Sequence, residues 1–278
     1  MTAKICLVTG ASSGIGHATA LELLRAGHTV YGAARRVHRM AAIQEAGGHA
    51  LPMDVTEEED LQRAVRTVLD AHQRIDVLVN NAGAVLHGAV EDTPLAMARA
   101  EFEVNVFAPA RLAQLVLPHM RERGSGVIVN VSSVGGEIAL PLGAWYYASK
   151  HALEAFSDTL RMEVGAFGID VVVVQPGIIK TDFEAGTARQ LREISGSGAY
   201  RQQAEAMAHA AETRAAGDGP ASDPEVVAVT IRQAVESARP ETRYVVGWRA
   251  EELLNLGRTL TDREFDAAVT RAAEPARR

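Results

Sequence analysis

Short apolar runs rich in valine and isoleucine recur along this chain, separated by longer segments of helical period. The runs are Ile5-Cys6-Leu7-Val8, Thr29-Val30-Tyr31, Val77-Leu78-Val79, Val127-Ile128-Val129-Asn130-Val131, Val171-Val172-Val173-Val174 and Tyr244-Val245-Val246. Several are apolar at consecutive positions and do not alternate, as expected of strands covered on both faces of a parallel sheet. Between them, residues 16–25, 57–72, 96–123 and 146–165 carry helical patterns. Regular alternation of the two element types predicts an α/β fold, a doubly wound parallel sheet of about seven strands with helices on both faces and right-handed crossovers. Pro94 predicts a helix start, and Pro118 a kink or helix boundary. No repeat or linker divides the sequence, so residues 1–278 read as one domain.

One stretch departs from the pattern. Residues 184–223 are small, polar and charged, with weak helical character and no strand. They follow the Val171–Val174 strand and so project from the carboxyl edge of the sheet, where open α/β sheets bind ligands. This stretch is expected to be a mobile lid or substrate loop.

Composition narrows the function. A formal charge of -7 offers no electrostatic footprint for nucleic acid. Cys6 is the single cysteine, which excludes an intramolecular disulfide and a cysteine-rich metal site and fits a reducing compartment. The nine histidines are scattered without a metal-binding spacing, so no metal is expected. The opening MTAKICLVTG has too short an apolar run for a secretory signal, and no stretch approaches a membrane span, so the expectation is a cytoplasmic protein.

The first strand runs directly into Thr9-Gly10-Ala11-Ser12-Ser13-Gly14-Ile15-Gly16 and then a helix. Glycines in such a turn let backbone N–H groups approach a diphosphate at a helix N-terminus. A second constellation is Trp145-Tyr146-Tyr147-Ala148-Ser149-Lys150. On a helix either phenol could share a face with the Lys150 ammonium, and spacing alone does not choose between them. Hydride transfer to a carbonyl needs a proton donor at the oxygen and a second group to polarise it. A nearby ammonium would lower a phenol's pKa, which ordinarily lies near 10.

The TGxxxGxG turn, Asn80-Asn81-Ala82-Gly83 after the fourth strand and the YxxxK spacing of Tyr146 and Lys150 resemble the short-chain dehydrogenase/reductase family. The likeness covers about residues 4–182 and implies a Rossmann-type fold, a nicotinamide cofactor and a homo-oligomer, dimer or tetramer. It implies Tyr146 as the proton donor, Lys150 as its activator and a contact of the nicotinamide ribose, Ser133 in preference to Ser132 as the carbonyl-binding serine, and Asn105 as holder of a water leading to Lys150. Cofactor contacts are implied for Gly10, Ser12, Ser13, Gly14, Ile15 and Gly16 in the turn. They are implied also for Asp54 and Val55, for Asn81, Ala82 and Gly83, and for Pro176, Gly177, Ile179 and Thr181.

The position about 20 residues beyond the glycine turn, acidic where NAD is bound, is Ala34, followed by Arg35 and Arg36. Their guanidinium groups suit a 2'-phosphate, and the resemblance is to the NADP-preferring type. Ser13 departs from it, since some NADP-preferring relatives carry a basic residue there. Leu140, Pro141, Leu142, Trp145 and Phe183 flank the catalytic segments and hint at an apolar substrate such as a steroid, retinoid, long-chain or polyketide carbonyl. The expectation is therefore an NADP(H)-dependent oxidoreductase interconverting a ketone or aldehyde with an alcohol. The alternatives are an NAD-dependent alcohol dehydrogenase of the same fold and an NADP-binding regulatory protein without turnover.

Overall fold

The computed structural model describes residues 2–216 and 219–273. Seven strands, β1 (Ile5–Thr9), β2 (Thr29–Ala34), β3 (His49–Pro52), β4 (Val77–Asn80), β5 (Gly126–Val131), β6 (Ile169–Pro176) and β7 (Arg243–Val246), form one sheet in the order β3-β2-β1-β4-β5-β6-β7. Every neighbouring pair is parallel, as the unalternating apolar runs require. Successive side chains point to opposite faces, so the central strands feed two cores. Cys6, Val8, Val79, Val129 and Val172 pack under α1 (Gly14–Arg25) and α9 (Pro224–Glu236), against Leu23, Ile231 and Val235. Leu7, Leu78, Ile128 and Val171 face α3 (Glu58–His72), α5 (Ala108–Arg123) and α6 (Ala144–Val164), against Leu61, Val68, Leu112, Val116 and Leu160. The sheet order reverses between β1 and β4, which opens a crevice at the carboxyl ends of those strands.

The remaining helices are α2 (Ala41–Glu45), α4 (Leu95–Phe102), α7 (Asp182–Ser195), α8 (Arg201–Ala215), α10 (Ala250–Thr259) and α11 (Asp262–Ala273). Pro94 stands at the N-cap of α4, as expected. The 96–123 helical pattern is interrupted by a π turn over Glu103–Phe107. Pro118 neither ends nor bounds a helix: it lies inside α5, which continues to Arg123 and stops at Gly124, whose φ is +65°.

Residues 184–223 differ from the expected loop. Most of them form α7 and α8, which pack on each other through Ala188, Leu191, Ala204, Ala208 and Ala211. The three α8 alanines do recur at helical spacing, but alanine's small apolar surface made the period look polar. Residues 217 and 218 of this span lie outside the described residues. Among the described residues no helix is long and apolar enough to cross a membrane.

Candidate active site

One cavity of about 1390 Å³ runs along the carboxyl ends of the strands and under α7, α8, α10 and α11. At one end the chain leaves β1 through the glycine turn. Gly10 there has a φ of +67°, and a Cβ on it would sit 2.8 Å from Asn81 Nδ2 and 2.9 Å from the Ala82 backbone. Asn81 is locked in turn, its backbone N–H donating to Thr9 Oγ1 at 3.0 Å and its Nδ2 to Thr9 O at 2.9 Å. Ser12, Ser13, Gly14 and Ile15 line the cavity, as do Ala82 and Gly83. Gly16 does not: it faces inward, where a side chain would collide with Asn81 Nδ2 and the Gly10 carbonyl. The turn's glycines thus leave the open, donor-rich hollow at a helix N-terminus that a diphosphate needs.

The charge missing at Ser13 comes from the end of β2. Arg36 Nη2 donates to Ser13 Oγ at 3.2 Å and reaches Ser12 Oγ at 3.5 Å, while Arg35 Nη1 lies 3.8 Å from Asp54 Oδ2. Asp54 accepts from the Thr56 N–H and hydroxyl at 3.0 and 2.8 Å, and it lines the same end as Val55. A bound nucleotide with a phosphate on its ribose would meet two guanidinium groups here. Pro176, Gly177, Ile179 and Thr181 line the cavity where β6 ends, and Thr181 caps α7 by accepting from the Phe183 N–H at 3.4 Å.

The reactive groups converge in the middle. Tyr146 and Lys150 lie one turn apart on α6, both buried, with Lys150 Nζ donating to Val131 O at 3.1 Å and standing 6.0 Å from the centre of the Tyr146 ring. Ser133 turns its side chain to the Tyr146 phenol and accepts from the Gly135 N–H at 3.0 Å. Ser132 Oγ is instead buried without a partner, in the place against Gly136 where a Cβ on that glycine would lie 2.8 Å from it. Tyr147 also lines the cavity, with its ring packed against Gly135 and Gly143, and no serine reaches its hydroxyl.

Burial pushes the Tyr146 phenol up to about 12, with Ser133 pulling it down and Glu101 and Glu184 pushing it further up. The lowered phenol expected from a lysine neighbour is therefore absent in this geometry, where burial is the largest influence on Tyr146. Burial also lowers Lys150 to about 8, against the opposing pull of Glu101 and Glu154.

Asn105 sits in the π turn and does not line the cavity. Its Oδ1 accepts from the Ala84 N–H at 2.8 Å, and its Nδ2 donates to Ala84 O and to Ser149 Oγ, both at 3.0 Å. Ser149 Oγ passes the tie to the Tyr146 carbonyl at 2.8 Å. The asparagine thus pins α6 at the tyrosine, with both N–H bonds of its carboxamide engaged.

Leu140, Pro141 and Phe183 line the cavity, but Leu142 packs into the α7–α8 core and Trp145 into a separate surface hollow with Leu95, Phe102 and Phe107. In their place the apolar far wall is built by Met207, Leu253, Leu256, Phe265 and Val269, which sequence reasoning missed because nothing local ties these helices to the site. It missed also His87, which stacks on Tyr146 at 5.7 Å between ring centres and is lowered by burial to about 4. Glu101, buried one turn before Asn105, is the third omission. Among the described residues no group of histidine, cysteine and carboxylate side chains could hold a metal ion.

A family model described as short chain dehydrogenase matches residues 4–192. The chain is 37% identical over 196 residues to a 3-ketodihydrosphingosine reductase of Bacteroides thetaiotaomicron, covering 70% of this chain and 71% of that protein. Among solved structures it superposes on a short-chain dehydrogenase from Streptomyces avermitilis with a TM-score of 0.78 and 33% identity, over 99% and 100% of the two chains. It superposes on a metagenomic short-chain oxidoreductase in complex with NADP with a TM-score of 0.68 and 26% identity, over 87% and 96%.

Proposed function

This chain belongs to the short-chain dehydrogenase family, and from that premise we propose that it is an NADP(H)-dependent oxidoreductase interconverting a ketone or aldehyde with the corresponding alcohol on an apolar substrate. The observation that carries the reading is the convergence of Ser133, Tyr146 and Lys150 in one cavity with the glycine turn and the β2 arginines.

The cofactor, when bound, supplies or accepts the hydride at the carbonyl carbon. Gly10 and Gly14 leave room for its diphosphate, and Arg35 and Arg36 would hold a 2'-phosphate. Lys150 would hold the nicotinamide ribose, and Ile179 and Thr181 the nicotinamide amide. At the other side of the reacting carbon, the Ser133 hydroxyl polarises the carbonyl oxygen and the Tyr146 phenol holds its proton toward the same atom. A phenol pushed up to about 12 still gives its proton readily to the far more basic alkoxide that forms. The Lys150 ammonium, mostly charged below pH 8, stabilises the phenolate left behind.

Substrate class is supported by the apolar wall from α8, α10 and α11, and by the long-chain keto substrate in the name of the Bacteroides relative. In this reading α7 and α8 cover the substrate, fulfilling as helices the role expected of residues 184–223. Leu95 and Phe107, 56% and 54% exposed beside the Trp145 hollow, support a homo-oligomer joined through α4 and α5. A cytoplasmic setting is supported by the single cysteine, Cys6, buried in β1. The test is NADPH consumption across carbonyls graded in bulk and polarity, with NADH in parallel and Tyr146→Phe beside the wild type. Turnover that survives in Tyr146→Phe would refute the proton donor, and tight NADPH binding without turnover would favour a regulatory protein.

A further inference from the structure

The proposed chemistry leaves a proton unaccounted for. Each carbonyl reduced removes one proton from Tyr146, and Lys150, the nearest group able to replace it, is buried and must be replenished in turn. Asn105 has no proton of its own to give, since both N–H bonds of its Nδ2 go to Ala84 O and Ser149 Oγ and an amide does not titrate. One turn earlier on the same helix, Glu101 is 3% exposed, lines the cavity together with Lys150 and Tyr146, and makes no side-chain hydrogen bond on either carboxyl oxygen, the Leu86 N–H being the backbone donor that faces it. A buried carboxyl with no side-chain partner is costly to keep in the fold. Helix α4 packs directly on α6, and Glu101 interacts electrostatically with both Lys150 and Tyr146 across that contact.

We propose that Glu101 is a positioning residue of a proton relay, a buried carboxyl group lining the cavity with Lys150 that hands on the proton which Lys150 passes to Tyr146. The inference rests on the oxidoreductase reading above. In reduction the phenol O–H bond breaks as the new alcohol O–H forms. An N–H proton of the Lys150 ammonium then restores the phenol, the Glu101 carboxyl returns a proton to the Lys150 amine through water in the cavity they share, and solvent at the cavity mouth reprotonates the carboxylate. Oxidation runs the same steps backward, and one solvent proton is exchanged per turnover.

The charges around the pair favour the exchange. Facing Glu101 are Lys150 from α6 and the Leu86 N–H from the loop before α4; facing Lys150 are Glu101 and, from its own helix, Glu154, which is itself held by Arg243. His87, neutral through burial, lines the same space. Desolvation raises Glu101 to about 8 and lowers Lys150 to about 8, so a proton moves between them at little cost near neutral pH.

The experiment compares the wild type with Glu101→Gln, Glu101→Asp and Lys150→Met, by infrared titration of the carboxylic C=O stretch and by pH profiles of kcat with NADPH. In the wild type a protonated-carboxyl band is expected that is missing from Glu101→Gln. The band should persist to higher pH in Lys150→Met, because the ammonium no longer favours the carboxylate. Glu101→Gln should bind NADPH normally and keep its carbonyl KM. Its kcat should fall on the order of tenfold to a hundredfold, with the alkaline limb moved about one unit lower, and Glu101→Asp should recover part of the rate. An unchanged profile in Glu101→Gln, or a band indifferent to Lys150→Met, overturns the relay. If the wild type reduces carbonyls and Glu101→Gln matches it, the oxidoreductase reading stands and only the relay falls. If the wild type reduces nothing, that reading fails, and the infrared titration still decides whether the two groups share a proton.

Discussion

The guanidinium of Arg36, at the end of β2, donates to the hydroxyl of Ser13 in the glycine turn at 3.2 Å. A positive charge that the turn lacks in its own sequence is thus carried to it from 23 residues away. Arg36→Ala is expected to raise the NADPH KM by about ten- to a hundredfold, the value of one charge-assisted hydrogen bond, while the NADH KM changes little. Steady-state kinetics with both cofactors measures the contrast.

Gly16 supports the turn from behind. In Gly16→Ala the new methyl group meets Asn81 Nδ2 and the Gly10 carbonyl, so the turn or the loop after β4 must move. Denaturant unfolding should register a loss of about 1–3 kcal/mol, and NADPH binding measured by fluorescence should weaken with it.

Two adjacent tyrosines are buried in the cavity, and only one has the serine. Tyr146→Phe is expected to lower kcat by about 10²- to 10⁴-fold with NADPH affinity intact. Tyr147→Phe, which removes a hydroxyl and keeps the ring between Gly135 and Gly143, should stay within about tenfold of the wild type.

Stability should also depend on pH through the two buried groups in opposite directions. Glu101 is raised from 4.5 to about 8, so the folded state holds a proton that the unfolded chain releases, and the wild type loses stability as pH rises through that window. His87 is lowered from 6.5 to about 4, so the unfolded chain binds the extra proton and stability is lost as pH falls from 6.5 to 4. Glu101→Gln should therefore gain on the wild type between pH 5 and 8, by a few kcal/mol at most, and His87→Phe should flatten the acid side. Chemical denaturation at each pH reads both differences.

The chemistry-bearing turns were legible because each is local: Gly10 to Gly16, Asn81 to Gly83 and Tyr146 to Lys150 are compact spacings on single turns or helices. The strands were legible because the valine-rich runs of β5 and β6 are buried on both faces, with Asn130 the one polar residue inside those runs and itself buried. The substrate wall was not, since Met207, Leu253 and Phe265 meet only through the packing of helices far apart in sequence. Trp145 shows the same limit from the other side. It neighbours Tyr146 in the chain, yet the next position on a helix turns to a different face, and its ring lies outside the cavity. Glu101 carries no local signal, because its burial comes from tertiary packing of α4 on α6 and the preceding loop.

The chain leaving β6 is fastened along both sides. Gly177 N–H donates to Val246 O at 2.8 Å and Ile178 N–H to Trp248 O at 3.2 Å, while Lys180 N–H and Ser222 N–H bond to Ser222 O and Ile178 O at 2.9 and 3.0 Å. The next residues, Thr181 and Phe183, begin the helix that roofs the substrate space. One short spine therefore bears both the floor proposed for the nicotinamide and the roof over the substrate, so a tilt in one is transmitted as a tilt in the other. Redesigning this protein for a bulkier carbonyl by enlarging α7 would shift the hydride donor's seat as well, whereas carving space from α11, which supplies none of the spine's hydrogen bonds, would disturb that seat least.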